Sequence, residues 1–329
     1  MEEKIKVSVP KSILDILDKD TENFLFTKET GEPNRNLFIN TLIKNFFEDY
    51  FLRKSSVLKD FNNILKDLDE TKKKEIIKEI SKAIIKNNLD YINNEETVTF
   101  SFKPTKVSST AISYINLNLD KEDSISSFYR SLFISYAHQP QNIREKIIFK
   151  DTYKVILEAI EKKKKVDLVM NNNNIFKDYL IYSISDSKDE LYNYLIMETN
   201  KKSLVTLRLA KVKSIFLKDE DAVFSEDLIP IFLKEIKYGP QYQFYKDENE
   251  DIKVRLTPRG IDLFKRIYLY RPIVDHIQNN NIYVFKCSIT QVVNYFERFG
   301  ENAIILSPKK AESMIKYFYY SANQAYRKK

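Results

Sequence analysis

LYNYLIMETNKKSLVTLRLAKV, running from Leu191 to Val212, decides the reading of this chain. Two apolar runs flank a polar turn, Thr199-Asn200-Lys201-Lys202. The second run alternates, with Val205, Leu207 and Leu209 on one face and Thr206 and Arg208 on the other. A period of two is the pattern of a β-strand with one wet face, and the turn stands where a hairpin connection belongs. Between Thr199 and Lys218 there are six Lys or Arg and no Asp or Glu. A strand pair presenting only positive charge has no anion of its own, so an outside anion is its natural partner. Arg208, Lys211, Lys213, Lys201 and Lys202 are therefore candidate contacts to a nucleic-acid backbone. Tyr194 is the candidate stacking ring, since single strands favour a basic groove with aromatics.

Tyr194-Leu195, followed by Leu207-Arg208-Leu209-Ala210-Lys211-Val212, resembles the signature of the WYL-domain family. That family's first strand ends Trp-Tyr-Leu and its second reads Phe-Arg-Leu-Asp-Arg-Ile. Here Asn193 stands at the Trp position, Leu207 at the Phe, and Ala210-Lys211 at the Asp-Arg. Residues 151–240 then read as a linker helix (Tyr153, Ile156, Leu157, Ile160) and a small SH3- or Sm-like barrel. Its strands are Val166–Met170, Phe176–Ile184, the hairpin and Lys213–Phe216, short and closely spaced as such barrels require. The Lys162–Lys165 run fits a helix C-terminus, where cations meet the helix dipole, as well as it fits an RNA contact.

At the N-terminus, Lys4-Ile5-Lys6-Val7-Ser8-Val9 alternates strictly, and Pro10 opens a helix at a tolerated position. A loop with Gly31 and Pro33 leads to Asn34-Arg35-Asn36 and a helix with Phe38, Ile39, Leu42, Ile43, Phe46 and Phe47 as its apolar stripe. This order resembles the ribbon-helix-helix family of small DNA binders. The resemblance implies an outward ribbon set of Lys4, Lys6 and Ser8, and a phosphate clamp of Asn34, Arg35 and Asn36 at a helix N-terminus. Residues 55–96 read as a helical linker, with stripes Leu58 to Leu68 and Ile76 to Ile85. Residues 97–150 then repeat the first unit. Thr97 to Lys103 alternates, a helix with Ala111, Ile112, Tyr114 and Ile115 follows, and a second helix carries Phe128, Tyr129, Leu132, Phe133 and Tyr136. At an offset of 90, Phe38 meets Phe128, Leu42 meets Leu132 and Phe46 meets Tyr136. A lone ribbon strand has nothing to pair with, so two units in one chain are expected to close the ribbon internally, strand 5–9 against strand 98–102.

Residues 241–329 read βαββαβα: strands Ile252–Leu256, one near Tyr270–Val274, Ile282–Cys287 and Ala303–Leu306, with helices Gly260–Ile267, Thr290–Phe299 and Pro308–Tyr326. Phe296 to Pro308 resembles the extension that follows WYL domains. From Ile252 to Ile273 there are six Lys or Arg against one acid, Asp262. A ferredoxin-like sheet with a basic edge is a platform for single strands, which makes Arg255, Arg259 and Arg266 candidates. The aromatic helix with Tyr317, Phe318, Tyr319 and Tyr320 carries more apolar surface than one small sheet covers, and a homodimer is expected.

Chemistry-bearing patterns are sparse. His138 and His276 are the only histidines, and no Cys/His spacing suits zinc. Four Gly leave no phosphate loop. Cys287 ends an apolar strand and reads as core. No catalytic residue, metal or cofactor is assigned, and the chain is not expected to be an enzyme. No apolar run approaches the ~20 residues of a membrane span, MEEKIKVSVPK has no signal-peptide core, and a single Cys suits a reducing cytoplasm. The net charge of +7 is C-terminal, with 15 Lys or Arg against 9 Asp or Glu in 241–329.

The fold class is thus α+β and multidomain: residues 1–54 a ribbon-helix-helix unit, 55–96 a helical linker, 97–150 a second diverged unit, 151–240 the linker helix and barrel, and 241–329 the ferredoxin-like extension. In this order the parts resemble the WYL accessory proteins of type VI-D, RNA-targeting CRISPR systems. The resemblance implies a homodimer that binds single-stranded RNA and stimulates the effector nuclease. The alternative is a transcription regulator whose ribbon reads duplex DNA.

Overall fold

The computed structural model describes residues 4–65, 69, 72–73, 75–76, 96–119, 124–242, 244, 251–279 and 281–327. The chain is a mixed α and β protein with three antiparallel sheets among the described residues, divided into a unit ending at Asp151 and a unit starting at Thr152.

In the first unit, β1 (Ile5–Pro10) pairs antiparallel with β2 (Thr97–Phe102), Val7 opposite Phe100 and Ile5 opposite Phe102. This is the internal closure expected from the repeat. Period-two alternation sends Val7, Val9, Phe100 and Phe102 into the core and leaves Lys6, Thr99 and Ser101 exposed. α1 (Lys11–Asn23) starts directly after Pro10. α2 (Arg35–Ile64) buries Phe38, Ile39, Leu42, Ile43 and Phe46 completely. It runs without a break past residue 54, and most of the Ser55 to Ile92 helix reading lies outside the described residues. α3 (Ser109–Asn118) and α4 (Ile125–Ala137) follow, α4 capped by Ser124, whose side chain accepts from the Ser127 amide. The Phe46 and Tyr136 rings, matched by the repeat, touch at 6.1 Å.

One buried charge is held in this unit. Asp20 on α1 is fully buried. It accepts from Arg144 Nε at 2.6 Å, Arg144 Nη2 at 3.0 Å and the Tyr136 hydroxyl at 2.8 Å. Arg144 belongs to α5 (Gln141–Ile148), so the cluster ties three helices together. Burial first, and then the Asp20 carboxylate, pushes the Tyr136 phenol well above its usual range. Removing the cation strands a buried carboxylate, which costs about 3–5 kcal/mol. Arg144→Ala is expected to lower the stability of this unit by that amount in urea denaturation followed by circular dichroism.

α6 (Lys150–Glu161) carries the chain into the second unit. There β3 (Lys164–Met170), β4 (Ile175–Asp186), β5 (Asn193–Glu198), β6 (Leu204–Arg208) and β7 (Val212–Asp221) form one sheet in the order β6-β5-β4-β3-β7. A 3-10 turn, Leu209–Lys211, links β6 to β7. The four lysines at 162–165 are divided. Lys162 pairs with Glu158 on its own helix, while Lys164 and Lys165 begin β3 and reach Asp221 and Glu220 at 2.8 Å. Asp221 and Glu220 at the end of β7 are therefore the partners of that run.

The rest of the unit is βαββαβα, as the pattern indicated: β8 (Ile252–Leu256), α8 (Pro258–Arg266), β9 (Val274–Gln278), β10 (Ile282–Phe285), α9 (Ile289–Phe296), β11 (Ala303–Ser307) and α10 (Lys309–Arg327). α7 (Ile229–Tyr238) precedes it. The sheet order is β11-β8-β10-β9. β9 lies several residues later than the Tyr270–Val274 run suggested. Pro272 within that run has no N–H to donate to a ladder. Thr257 caps α8 by accepting from the Gly260 amide at 3.0 Å. A Cβ on Gly260 would come within 2.1 Å of the Asn302 carbonyl oxygen, so only glycine lets the helix approach there. Among the described residues, no helix is long and apolar enough to cross a membrane.

Candidate nucleic-acid interface

β5 is buried at every one of its six positions. The hairpin pairs Tyr194 with Arg208, Ile196 with Thr206 and Glu198 with Leu204. Alternation puts Leu204, Thr206 and Arg208 on one face, the face that the sequence reading made wet. The structure corrects this. Ile196, with Leu204 against it, packs on Leu228, Ile231, Phe232 and Phe244, so α7 and its flanks cover the face. Glu198, nearly fully buried there, accepts from the Ser225 amide at 2.9 Å and hydroxyl at 2.6 Å. Both bonds go to an ionised acceptor, worth about 1.5–3 kcal/mol each at most. Glu198→Ala is expected to lower the melting temperature measurably, with Glu198→Gln intermediate, in differential scanning calorimetry.

Arg208 lies at the far end of this face, half-buried. Its guanidinium carbon sits 3.5 Å from the centre of the Tyr192 ring. That distance is face-to-face stacking, which holds the planar cation in one orientation. Tyr192 shares a face with Tyr194 by parity, and it is the ring that sequence reasoning missed. Tyr194 itself is buried and gives its hydroxyl to Glu190, so it braces the site instead of offering a stacking face. Glu190 and Asp189 stand in the β4–β5 turn, where Asp189 accepts from the Tyr242 hydroxyl at 3.1 Å. An acid does lie in the neighbourhood of Arg208, contrary to the acid-free reading of the sequence around it. Cation, half-buried ring and carboxylates in one place suit a ligand with a phosphate, a flat base and amino donors on its edge.

The remaining basic candidates are not brought to this point. Lys201 and Lys202 are exposed at the hairpin turn, about 20 Å away along the strand. Lys211 and Lys213 are exposed beside the Asn171–Asn174 turn, Lys213 reaching Asn173 Oδ1 at 2.8 Å. In the C-terminal sheet, Arg255 is exposed on the strand face opposite the core residues Val254 and Leu256, and Arg259 is exposed in the first turn of α8. Arg266 is tied to Asp262 one turn away.

The ribbon candidates are placed as a structural joint. Lys4 and Lys6 are exposed, and Ser8 Oγ bonds Thr99 Oγ1 across the ribbon at 2.6 Å. Asn34 caps α2, accepting from the Leu37 amide at 3.1 Å. Arg35 gives its guanidinium to Asp18 at 2.7 Å. Asn36 makes a two-way amide bond with Lys103, its Oδ1 accepting at 2.7 Å and its Nδ2 donating at 3.1 Å. A cavity of about 460 Å3 beside them is lined by Asp18, Glu22, Lys28 and Arg35, and its two acids oppose a phosphate. Among the described residues no cluster of His, Cys, Asp or Glu has the makings of a metal site.

No protein-family model matches the chain. A solved structure described as that of a CRISPR Cas-related protein superposes over 100 % of this chain and 95 % of its own, with a TM-score of 0.68 at 20 % identity. The chain has the fold of that protein. The proteasome accessory factor B/C of Arthrobacter aurescens overlaps 66 % of this chain and 35 % of its own at 10 % identity, with a TM-score of 0.24 that carries no argument. Among curated proteins, the RecB subunit of the RecBCD enzyme of Borreliella burgdorferi is 28 % identical over 276 residues, covering 72 % of this chain. The chain spans only 23 % of the length of that relative.

Proposed function

We propose that this chain is a CRISPR-associated accessory protein that binds single-stranded RNA at the Tyr192–Arg208 site and stimulates an RNA-targeting effector nuclease. The observation that carries the binding is the guanidinium stacked on a half-buried ring beside the end of a fully buried strand. Such a pair is built in advance for a phosphate and a base. The likeness of fold to a CRISPR Cas-related protein supports the association. The architecture supports the finer assignment. Internal pairing of β1 and β2 agrees with a tandem ribbon-helix-helix unit. The sheet β6-β5-β4-β3-β7 with its 3-10 turn agrees with an SH3- or Sm-like WYL domain, and the order β11-β8-β10-β9 with a ferredoxin-like extension. Together they favour the accessory proteins of type VI-D systems. The protein acts by binding, and no catalytic step is assigned to it.

Duplex-DNA reading by the ribbon has less support, because Arg35 and Asn36 of the clamp are engaged with Asp18 and Lys103. Binding of wild type and Arg208→Ala to single-stranded RNA and duplex DNA across a salt series tests the proposal. RNA preference is expected, with affinity reduced about tenfold or more in the variant and a shallower salt slope by about one charge. Lys4→Ala with Lys6→Ala is expected to leave RNA binding unchanged. DNA preference that survives Arg208→Ala and is lost with the two lysines would overturn the proposal in favour of the regulator.

A homodimer is part of the same proposal. α10 buries Ala311 and Ile315, and Tyr319 reaches the Glu297 carbonyl at 3.0 Å. Tyr317, Phe318 and Tyr320 on the same helix remain exposed. Light scattering at micromolar concentration is expected to give twice the chain mass of 39.0 kDa, and Tyr317→Glu with Tyr320→Glu to shift it toward the monomer.

A further inference from the structure

The turn between α8 and β9 holds features that the hairpin site does not use. Tyr268 is 75 % exposed and Ile273 63 %. Phe264, Tyr268, Arg271, Pro272, Ile273 and Val274 line a cavity of about 460 Å3, a size that suits a small organic ligand. Arg271 is fixed in its wall. The guanidinium lies 5.4 Å from the centre of the Phe264 ring and donates Nη1 to the Phe264 carbonyl at 3.2 Å. Lys265 is exposed nearby in sequence, and Arg298 lies over the Tyr295 ring at 5.5 Å. The single acid between Ile252 and Ile273 is Asp262, and it is already paired with Arg266. An exposed ring and a fixed planar cation complement an anionic chain of flat groups.

Burial, then the carboxylates of Glu190 and Asp189 and the Tyr192 phenol, push the Tyr270 hydroxyl up, while Arg298 pulls it down. Tyr270 is half-buried and stands two residues from Tyr268.

We infer that the turn from Ile267 to Ile273 is a second base-stacking subsite for single-stranded nucleic acid, with Tyr268 as the stacking ring and Arg271 as the phosphate contact, distinct from the Tyr192–Arg208 site. The inference rests on the nucleic-acid reading of the hairpin. It adds that the ligand is a chain longer than one or two nucleotides, because the two rings stand in separate turns, Tyr192 between β4 and β5 and Tyr268 between α8 and β9. It also assigns the exposed aromatic surface to a nucleic acid and not to a protein.

The chain contains no tryptophan, so Tyr268→Trp places a single emitter in the turn. The probes are a uridine trinucleotide and an oligouridylate of about twelve nucleotides, within the span of single-strand sites. Addition of the longer oligonucleotide is expected to quench the emission. Tyr268→Ala is expected to weaken the longer oligonucleotide about tenfold, to leave the trinucleotide unchanged, and to be rescued by Tyr268→Phe. Circular dichroism of the alanine variant checks that it folds. Arg208-dependent binding of the longer oligonucleotide with no quenching and no loss in Tyr268→Ala overturns this inference and leaves the hairpin reading standing. Equal loss of both oligonucleotides overturns it too, since Tyr268 then acts on the hairpin site or the fold. Absence of binding by the wild type to either probe overturns both.

Discussion

A β-strand buried on both faces has no freedom to slide or fray, and β5 is such a strand at all six of its positions. Both faces of the strand are covered, one of them by α7 with its flanks. Polar groups caught in that burial need partners. Glu198 at one end is held by Ser225, and the Tyr194 hydroxyl at the other by Glu190. These bonds fix the register of the hairpin. The register in turn sets Arg208 opposite Tyr194 and over Tyr192. A guanidinium on a flexible stem normally loses rotamer entropy when it binds a phosphate. Here the stacking has already removed much of that cost.

The first unit solves a different problem with similar means. Its ribbon closes within the chain, and the side chains positioned to clamp a phosphate serve instead to fasten α2 to β2 and α1. Asn40 extends the same seam, donating to the Lys103 carbonyl at 3.0 Å and accepting from the Thr105 amide at 3.0 Å. The outward face of the ribbon carries hydroxyls and few charges, which gives it little pull on a duplex. Taken with the bidentate Asp20–Arg144 bond, these contacts describe a rigid scaffold whose polar groups are spent inside the unit.

Much of this was legible in the sequence, and where it was not, the reason is local. Strict alternation at Lys4 to Val9 and at Thr97 to Lys103 gave both ribbon strands and their inward residues. The offset matching Phe46 to Tyr136 pointed to a second unit, and the structure brings those two rings to 6.1 Å. β8 matched its expected limits because Ile252, Val254 and Leu256 alternate without interruption. β9 was misplaced because Tyr270 to Val274 has strand-forming residues, and only the missing donor of Pro272 argues against a ladder. The wet face of the hairpin was misjudged because its cover, α7, arrives some twenty residues later in the chain, a long-range contact that no local period encodes. Tyr192 was overlooked beside the more conspicuous Tyr194, although the two share a face. The charge count around Arg208 looked forward along the chain and so missed Glu190, which the β4–β5 turn folds back.

The most direct test of the account is zero-length ultraviolet cross-linking of the wild-type protein to a 4-thiouridine oligonucleotide, with the modified residues located by mass spectrometry. The account predicts cross-links on Tyr192 and in the hairpin peptide bearing Arg208, lost when unlabelled single-stranded RNA competes. Cross-links concentrated on the ribbon around Lys4, Lys6 and Ser8, with the hairpin unmodified, would contradict it.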